Sequence, residues 1–286
     1  MPLWLKVAYT KKRIVNWYER HNGKVYVSFS GGKDSTVLLH LVREIYADVP
    51  AVFVDTGLEY PEIRTFVQTF DNVEWIKPAM TFKQVLEKYG YPVISKKISM
   101  GLARYANTKS DFQKELRLHG GVCPSSGKKQ QRTISKKWHF MIDAPFKCSE
   151  QCCVWLKKNP INKYNKKSGR KAIIGTMAGE SNMRQLAYLQ RGCNSFEGKH
   201  PISTPIAFWR EQDIWKYINK NKIAYSTIYN MGEERTGCMF CMFGVQTEKG
   251  KNRFQRMKKS HPSQYKYCMD VLHIREVLEY MGLPSE

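Results

Sequence analysis

Lys24–His40 reads KVYVSFSGGKDSTVLLH, and the fold turns on how this stretch is read. Val25, Val27 and Phe29 are apolar and β-favouring and alternate with Tyr26 and Ser28, which predicts a strand. Ser30-Gly31-Gly32-Lys33-Asp34-Ser35 follows, and then an apolar run that predicts a helix to about Tyr46. Two adjacent glycines let the backbone turn with positive φ and come close to a ligand. A strand, a Gly-rich turn and a helix start together aim several N–H groups at one point, which suits an anion, phosphate above all. Lys33 adds a positive charge, and Ser30 and Ser35 add hydroxyls. The plainer alternative is an N-capped Gly-Gly turn with no ligand; the strand–turn–helix context favours phosphate.

Working outward, residues 3–20 form an amphipathic pattern that stops at His21-Asn22-Gly23. Ala51–Val54 is a short all-apolar strand, and Val73–Ile76 is a third strand. Each precedes a helix, one opened by Pro61-Glu62 and one over 81–88. Ala172-Ile173-Ile174 is a further buried strand, ending at Gly175 with Ser181 and Arg184 in the helix start beyond it. Ile206–Trp209 is expected as an edge strand, Arg210–Asn219 as a helix, 249–259 as a basic helix and Met269–Met281 as a closing helix. This alternation predicts an α/β fold with a doubly wound, mostly parallel sheet and a helical, Cys-containing C-terminal extension. The expected division is 1–230 and 231–286. Ligands of such sheets sit at the carboxyl ends of the strands, so Ser28, residues 30–35, Asp55, Thr56 and Gly175 are expected along one rim.

The chain has 286 residues, 42% hydrophobic, enough for a sizeable core. No apolar run approaches a membrane span, and the N-terminus carries lysines that make it a poor secretory signal. A cytoplasmic, reducing location is therefore expected for the eight cysteines, where clusters are more often metal or redox sites than disulfides. The net charge of +22 suits polyanions, although a lysine-rich composition serving a phosphorylated small molecule reads equally well. Lys128, Lys129, Lys136 and Lys137 flank Trp138. Lys157 and Lys158 follow Trp155. Lys163, Lys166, Lys167, Arg170 and Lys171 surround Tyr164. Interleaved cations and aromatics can track a nucleic-acid backbone and stack on bases.

Cys152-Cys153 are adjacent, and Cys238-Met239-Phe240-Cys241 is a C-x-x-C pair. Four thiolates from two such clusters can hold zinc or an iron–sulfur cluster. Directly adjacent ligands fit the usual zinc spacing poorly, which favours iron–sulfur. Cys148 is a substitute ligand through C-x-x-x-C with Cys152.

SGGKDS resembles the PP-loop of ATP pyrophosphatases and their sulfonucleotide-reductase relatives. It is neither Walker A, G-x-x-x-x-G-K-S/T, nor the dinucleotide G-x-G-x-x-G. With VDTGLEYPE at 54–62, GTMAGESNMR at 175–184, the PI and DIWKYI elements within 205–218 and ERTGCMFC at 234–241, the chain resembles the phosphoadenosine phosphosulfate (PAPS) reductase family over most of its length. The resemblance implies that residues 30–35 hold phosphate or sulfate, with Lys33, Asp34 and Ser35 catalytic. It implies Asp55 and Thr56 by the adenosine and Arg184 and Ser181 at the far end of the nucleotide. The cysteines resemble the 4Fe-4S ligands of adenylyl-sulfate reductases. The family's C-terminal Glu-Cys-Gly-Ile/Leu-His nucleophile motif is not matched; the sequence ends LEYMGLPSE.

Three readings follow. The first is an ATP pyrophosphatase with Mg²⁺ on ATP and a 4Fe-4S cluster, serving sulfur transfer to nucleic acid, DNA or tRNA, with a sulfur-donor protein. The second is a PAPS or adenylyl-sulfate reductase with a non-standard thiol. The third is a retired scaffold that binds nucleotide or nucleic acid as a regulator, against which intact Lys33, Asp34 and Ser35 weigh. A homodimer is compatible with all three, and no membrane partner is expected.

Overall fold

The computed structural model describes residues 1–124, 127, 129, 133–198 and 200–286. Lys128 of the first basic group lies outside the described residues. Strands β1 (Val25–Ser28), β2 (Ala51–Val54), β3 (Val73–Ile76), β4 (Lys171–Ile174), β5 (Asn194–Ser195) and β6 (Ile202–Ser203) form one six-stranded sheet. Its order is β3-β2-β1-β4-β6-β5. Every pairing is parallel except β5 with β6. The doubly wound, mostly parallel α/β sheet expected from the sequence is thus the fold. In β1 the residues Val25, Tyr26 and Val27 are fully buried, as a strand covered on both faces requires.

The order reverses at β1, which has β2 on one side and β4 on the other, in register Val27↔Ala51 and Val27↔Ile173. Such a switch point leaves a crevice at the carboxyl ends of the strands. Helix α1 (Leu3–Arg20) buries Ile14 and Trp17, α2 (Lys33–Arg43) buries Val37, Leu38 and Leu41, and α3 (Pro61–Gln68) buries Ile63 and Val67.

Ile206–Trp209 is not the edge strand expected. The edge is at Ile202–Ser203, and 206–209 is a turn in which Ala207 N–H donates to the Thr204 carbonyl and Trp209 N–H to the Ile206 carbonyl. Pro205 explains this, because it has no N–H for a ladder. Trp209 goes into the core and donates through Nε1 to Thr10 Oγ1 at 2.9 Å. The basic helix starts later than expected, at Arg253, because Asn252 and Gln255 form a capping box there. The closing segment is a π-helical turn, Tyr267–Val271, and a separate helix, Ile274–Tyr280, parted at His273 with φ +51°.

Two compact units result, each made of two chain segments. One is Met1–Pro78 with Asn159–Gly237, and the other is Ala79–Lys158 with Cys238–Glu286. This differs from a linear division after residue 230. The sheet needs β4 beside β1, so the sheet unit resumes at Asn159 after the first segment of the second unit. The second unit is helical, with Phe82, Val85, Ile98, Leu102, Phe254 and Leu278 in its core. Ile94 joins the C-x-x-C segment by a bridge to Phe243, and Gly244 N–H donates to the Ile94 carbonyl at 2.8 Å.

Candidate functional site

The turn after β1 is built by its own short side chains. Ser30 N–H donates to Ser35 Oγ, and Ser35 Oγ donates to the Gly32 carbonyl at 2.9 Å. Thr36 Oγ1 donates to the same carbonyl at 3.0 Å. Gly31 takes φ +72°, and a Cβ there would lie 2.7 Å from Val67 Cγ2. Gly32 does not share that positive φ, which sequence reading expected of both glycines; at φ −77° it is the N-cap of α2. Its missing side chain serves close approach instead, because a Cβ would lie 2.7 Å from Thr236 Oγ1. No side chain caps α2 through Gly32.

Lys33 is 5% exposed. Its N–H donates to Tyr229 Oη at 2.8 Å, and its ammonium meets Glu211 at 3.1 Å and the Glu234 carbonyl at 3.2 Å. Burial alone would lower the Lys33 pKa, but Asp34 and Glu211 outweigh it and hold the amine above its ordinary range. Burial, with Glu180 and Glu211 adding to it, pushes the Asp34 carboxyl up to about 6 against the pull of Lys33 and Arg184. Asp34 Oδ1 is buried without a hydrogen-bond partner.

The rest of the expected rim assembles in the same unit. Ser28 ends β1, opposite Val52 and Ile174. Asp55 follows β2, buried; one carboxylate oxygen accepts from Arg64 at 3.0 Å and Oδ1 has no partner. Thr56 is committed locally, donating through N–H and Oγ1 to Glu59. Gly175 follows β4, and a Cβ on it would lie 3.0 Å from the Asp34 carbonyl oxygen, so a side chain there would have to push the start of α2 aside by a few tenths of an ångström. Ser181 caps the helix Asn182–Arg191 by accepting from Arg184 N–H. The Arg184 guanidinium pairs with Glu180, whose Oε2 also accepts from Met177 N–H. Loop 30–35, Gly175, Glu180 and Arg184 are therefore gathered around Asp34.

In the other unit, Cys152 is buried, and Cys153, Cys238 and Cys241 are partly exposed. The Cys152 thiol is held high by a hydrogen bond to Cys153, by burial and by the nearness of Cys241 and Cys238. The same bond lowers Cys153 to about 6, against burial and with help from Lys96 and Lys157. The four expected ligands thus share one electrostatic neighbourhood. Among the described residues no group of three or more His, Cys, Asp or Glu stands in metal-holding geometry. The two facts agree, because charge acts over longer distances than a coordination shell. Cys148 is different: burial pushes it up to about 12, and no other cysteine contributes. A π-helical turn, Val154–Lys158, follows Cys153 directly and precedes Pro160. Such turns inside helices are frequent at functional sites.

Sequence reading missed four residues that the geometry makes prominent. Tyr229, Thr236 and Glu211 cover Lys33 and Gly32. Arg253, read only as part of a basic stretch, donates to the carbonyls of Cys241 at 2.9 Å and Phe243 at 3.3 Å while paired with Glu248. Thr236 lies in the ERTGCMFC segment but was given no role there, and nothing local marks the other three, since each acts on residues distant in sequence. Tyr164 is a correction: it is no stacking platform. It is buried edge-on against Tyr26 and donates to Glu74 at 3.0 Å, so the surrounding lysines lack their aromatic partner. Trp155 stacks on Tyr89, and Lys137 lies over Trp138. Among the described residues no helix is long and apolar enough to cross a membrane.

The sequence matches the phosphoadenosine phosphosulfate reductase domain over residues 24–97 and 106–243. An uncharacterised protein of Methanocaldococcus jannaschii is 27% identical over 267 residues, covering 91% of this chain and 51% of that protein, so the chain spans about half its length. Adenosine 5'-phosphosulfate reductase of Bacillus velezensis is 25% identical over 235 residues, covering 80% of this chain and 78% of the reductase. Among solved structures, the U34-tRNA thiolase NcsA of Methanococcus maripaludis with its 4Fe-4S cluster aligns at a TM-score of 0.40 and 16% identity. The alignment covers 99% of this chain and 82% of the thiolase.

Proposed function

Because the chain belongs to the phosphoadenosine phosphosulfate reductase domain family, we propose that it is a PP-loop ATP pyrophosphatase that activates an acceptor for sulfur transfer. One observation carries this reading: Lys33, the unpartnered Asp34 Oδ1, Gly175 and Arg184 converge on one turn at the sheet's switch point. The acceptor oxygen attacks the α-phosphorus of ATP, the bond from that phosphorus to the bridging oxygen breaks, and pyrophosphate leaves with the electron pair. Lys33 stabilises the departing charge through its ammonium and N–H, a preorganised-donor effect. Asp34, with its unpartnered Oδ1, would be the residue to hold a Mg²⁺ bound with the nucleotide, which would supply positive charge at the phosphates. Asp55 and Thr56 lie on the adenosine side, and Ser181 and Arg184 at the far end. Sulfur then displaces AMP from the activated acceptor.

Cys152, Cys153, Cys238 and Cys241 are the residues that would hold a 4Fe-4S cluster; they share one electrostatic neighbourhood, in which Cys153 is lowered while Cys152 and Cys241 are raised. When bound, the cluster would supply a site for handling sulfur. The charge of +22 favours a nucleic-acid acceptor, DNA or tRNA. Reductase chemistry needs an exposed, low-pKa thiolate outside the cluster. Cys148, Cys193 and Cys268 are buried with raised pKa values, which speaks against it. The test compares two products: pyrophosphate released from Mg-ATP, and sulfite released from PAPS or adenylyl sulfate with reduced thioredoxin. Pyrophosphate without sulfite is expected. Robust sulfite that vanishes with Cys123→Ser would make the protein a reductase with a relocated nucleophile.

A further inference from the structure

Every anion-binding group of Lys33 is already engaged by the protein itself. Its N–H is taken by Tyr229 Oη, and its ammonium by Glu211 and the Glu234 carbonyl, with the Tyr229 ring 5.3 Å away. Tyr229 Oη also lies 3.3 Å from Thr236 Oγ1, and both hydroxyls crowd Gly32. Apart from Glu211, these groups come from one segment, Tyr229–Thr236. Their oxygens occupy the position in front of the helix start where a phosphate oxygen would accept from the same N–H. Trp215 holds the Tyr229 ring edge-on at 5.5 Å, so the arrangement is built rather than incidental. Gly232, at φ +88°, offers a pivot inside the segment.

We propose that Tyr229–Thr236 is a displaceable strap whose hydroxyls stand in for phosphate oxygens on the loop. Nucleotide must push it off Lys33 to bind. The proposal rests on reading residues 30–35 as the phosphate loop. Closed, the strap covers Lys33 and keeps it out of water while Glu211, outside the strap, pairs with its charge. Open, it frees the Lys33 N–H and the ammonium position now taken by the Glu234 carbonyl.

Hydrogen exchange on the intact protein, with and without inorganic pyrophosphate, tests this without a variant. Amides of 30–35 should slow and those of 229–237 should speed up by about threefold or more. Slowing of both segments would make the strap a fixed wall of the site and overturn the proposal. Calorimetry with pyrophosphate gives the second arm. Tyr229→Phe removes a neutral hydrogen-bond competitor and should tighten binding about threefold to tenfold; unchanged or weaker binding would overturn the strap. Lys33→Ala separates the two ideas. If it leaves pyrophosphate affinity unchanged, the phosphate-loop reading itself fails. If it weakens binding while Tyr229→Phe does not strengthen it, only the strap fails. Binding seen with Tyr229→Ala but not with the unaltered protein supports the strap in its extreme form, and no binding to either removes the loop reading.

Discussion

Residues 30–35 are positioned by their own backbone and hydroxyls, whereas the chain leaving the C-x-x-C turn is held at Cys241 and Phe243 by a guanidinium from outside the turn. In the loop, Gly31 at positive φ leaves no room for a Cβ, and Gly175 would crowd one against the Asp34 carbonyl. In the cysteine turn, Cys241 N–H donates to the Cys238 carbonyl, and Arg253 fastens the outgoing chain through the carbonyls of Cys241 and Phe243. The first construction tolerates almost no added atoms. The second tolerates added atoms but not the loss of one distant side chain.

The sharpest way to break this contrast is Gly31→Ala. Its Cβ would sit 2.7 Å from Val67 Cγ2 and 2.9 Å from Ile63 Cγ2 at φ +72°. Left-handed strain and overpacking together should cost about 3 kcal/mol in urea unfolding. Nucleotide affinity should fall at least about tenfold, roughly 1.4 kcal/mol. A loss under about 0.5 kcal/mol, the size of an ordinary surface change, would show that the loop is not limited by its backbone.

Arg253→Ala probes the other construction. Losing the two charge-assisted bonds to carbonyls should cost about 2 kcal/mol. Iron per chain in anaerobically prepared protein should drop to less than half, with Arg253→Lys in between. A full iron complement in Arg253→Ala would mean that the turn holds itself, as the loop does.

Asp34→Asn has a smaller effect, and its sign depends on pH. Asp34 titrates near 6 in the folded protein against an ordinary 3.8, so the native state binds the proton more tightly than the unfolded one. The ionised form therefore costs stability, fully above about pH 6 and progressively less as the pH falls towards 4. Asp34→Asn should be more stable by about 1 kcal/mol at pH 8, a figure reduced for partial exposure. That advantage should fade between pH 6 and 4, while pyrophosphate release is lost at every pH. A constant stability difference across that range would detach Asp34 from the electrostatics described. Smallest of all, Tyr164→Phe should cost about 0.5 kcal/mol through the Glu74 hydrogen bond. It should leave any DNA or tRNA affinity unmoved, whereas reversing Lys163, Lys166 and Lys167 should shallow its salt dependence.

What could be read in the sequence follows from the same contrast. β1, the turn after it and α2 are contiguous, and their alternation, glycines and apolar run each point one way. β2 and the Ala172–Ile174 part of β4 were legible because buried parallel strands leave unbroken apolar runs, whereas β3 carries Glu74 and is only partly buried. Ile206–Trp209 looked like another such run, but Pro205 diverts it and Trp209 turns inward to Thr10. The role of Gly32 could not be read from its neighbours, since what it accommodates is Thr236 and Tyr229. Tyr164 looked exposed because lysines surround it in sequence, yet its own side chain faces the sheet. The thiol pairs were visible as spacing, but Arg253 acts on them only after the chain has folded.

The interleaving of the two units has a consequence during synthesis. β1 lies inside the sheet, yet its β4 partner is encoded only after residues 79–158. At about 5–20 residues per second, the interval between completing Ser28 and completing Ile174 is about 7–30 seconds. For that time Val25–Val27, fully buried in the finished protein, waits with one hydrogen-bonding edge unpaired. An apolar strand with an open edge is a template for pairing with another chain. The ribosome's pace through 79–158 therefore sets how long each nascent molecule is open to its neighbours, and crowded polysomes making this protein are where that exposure matters most.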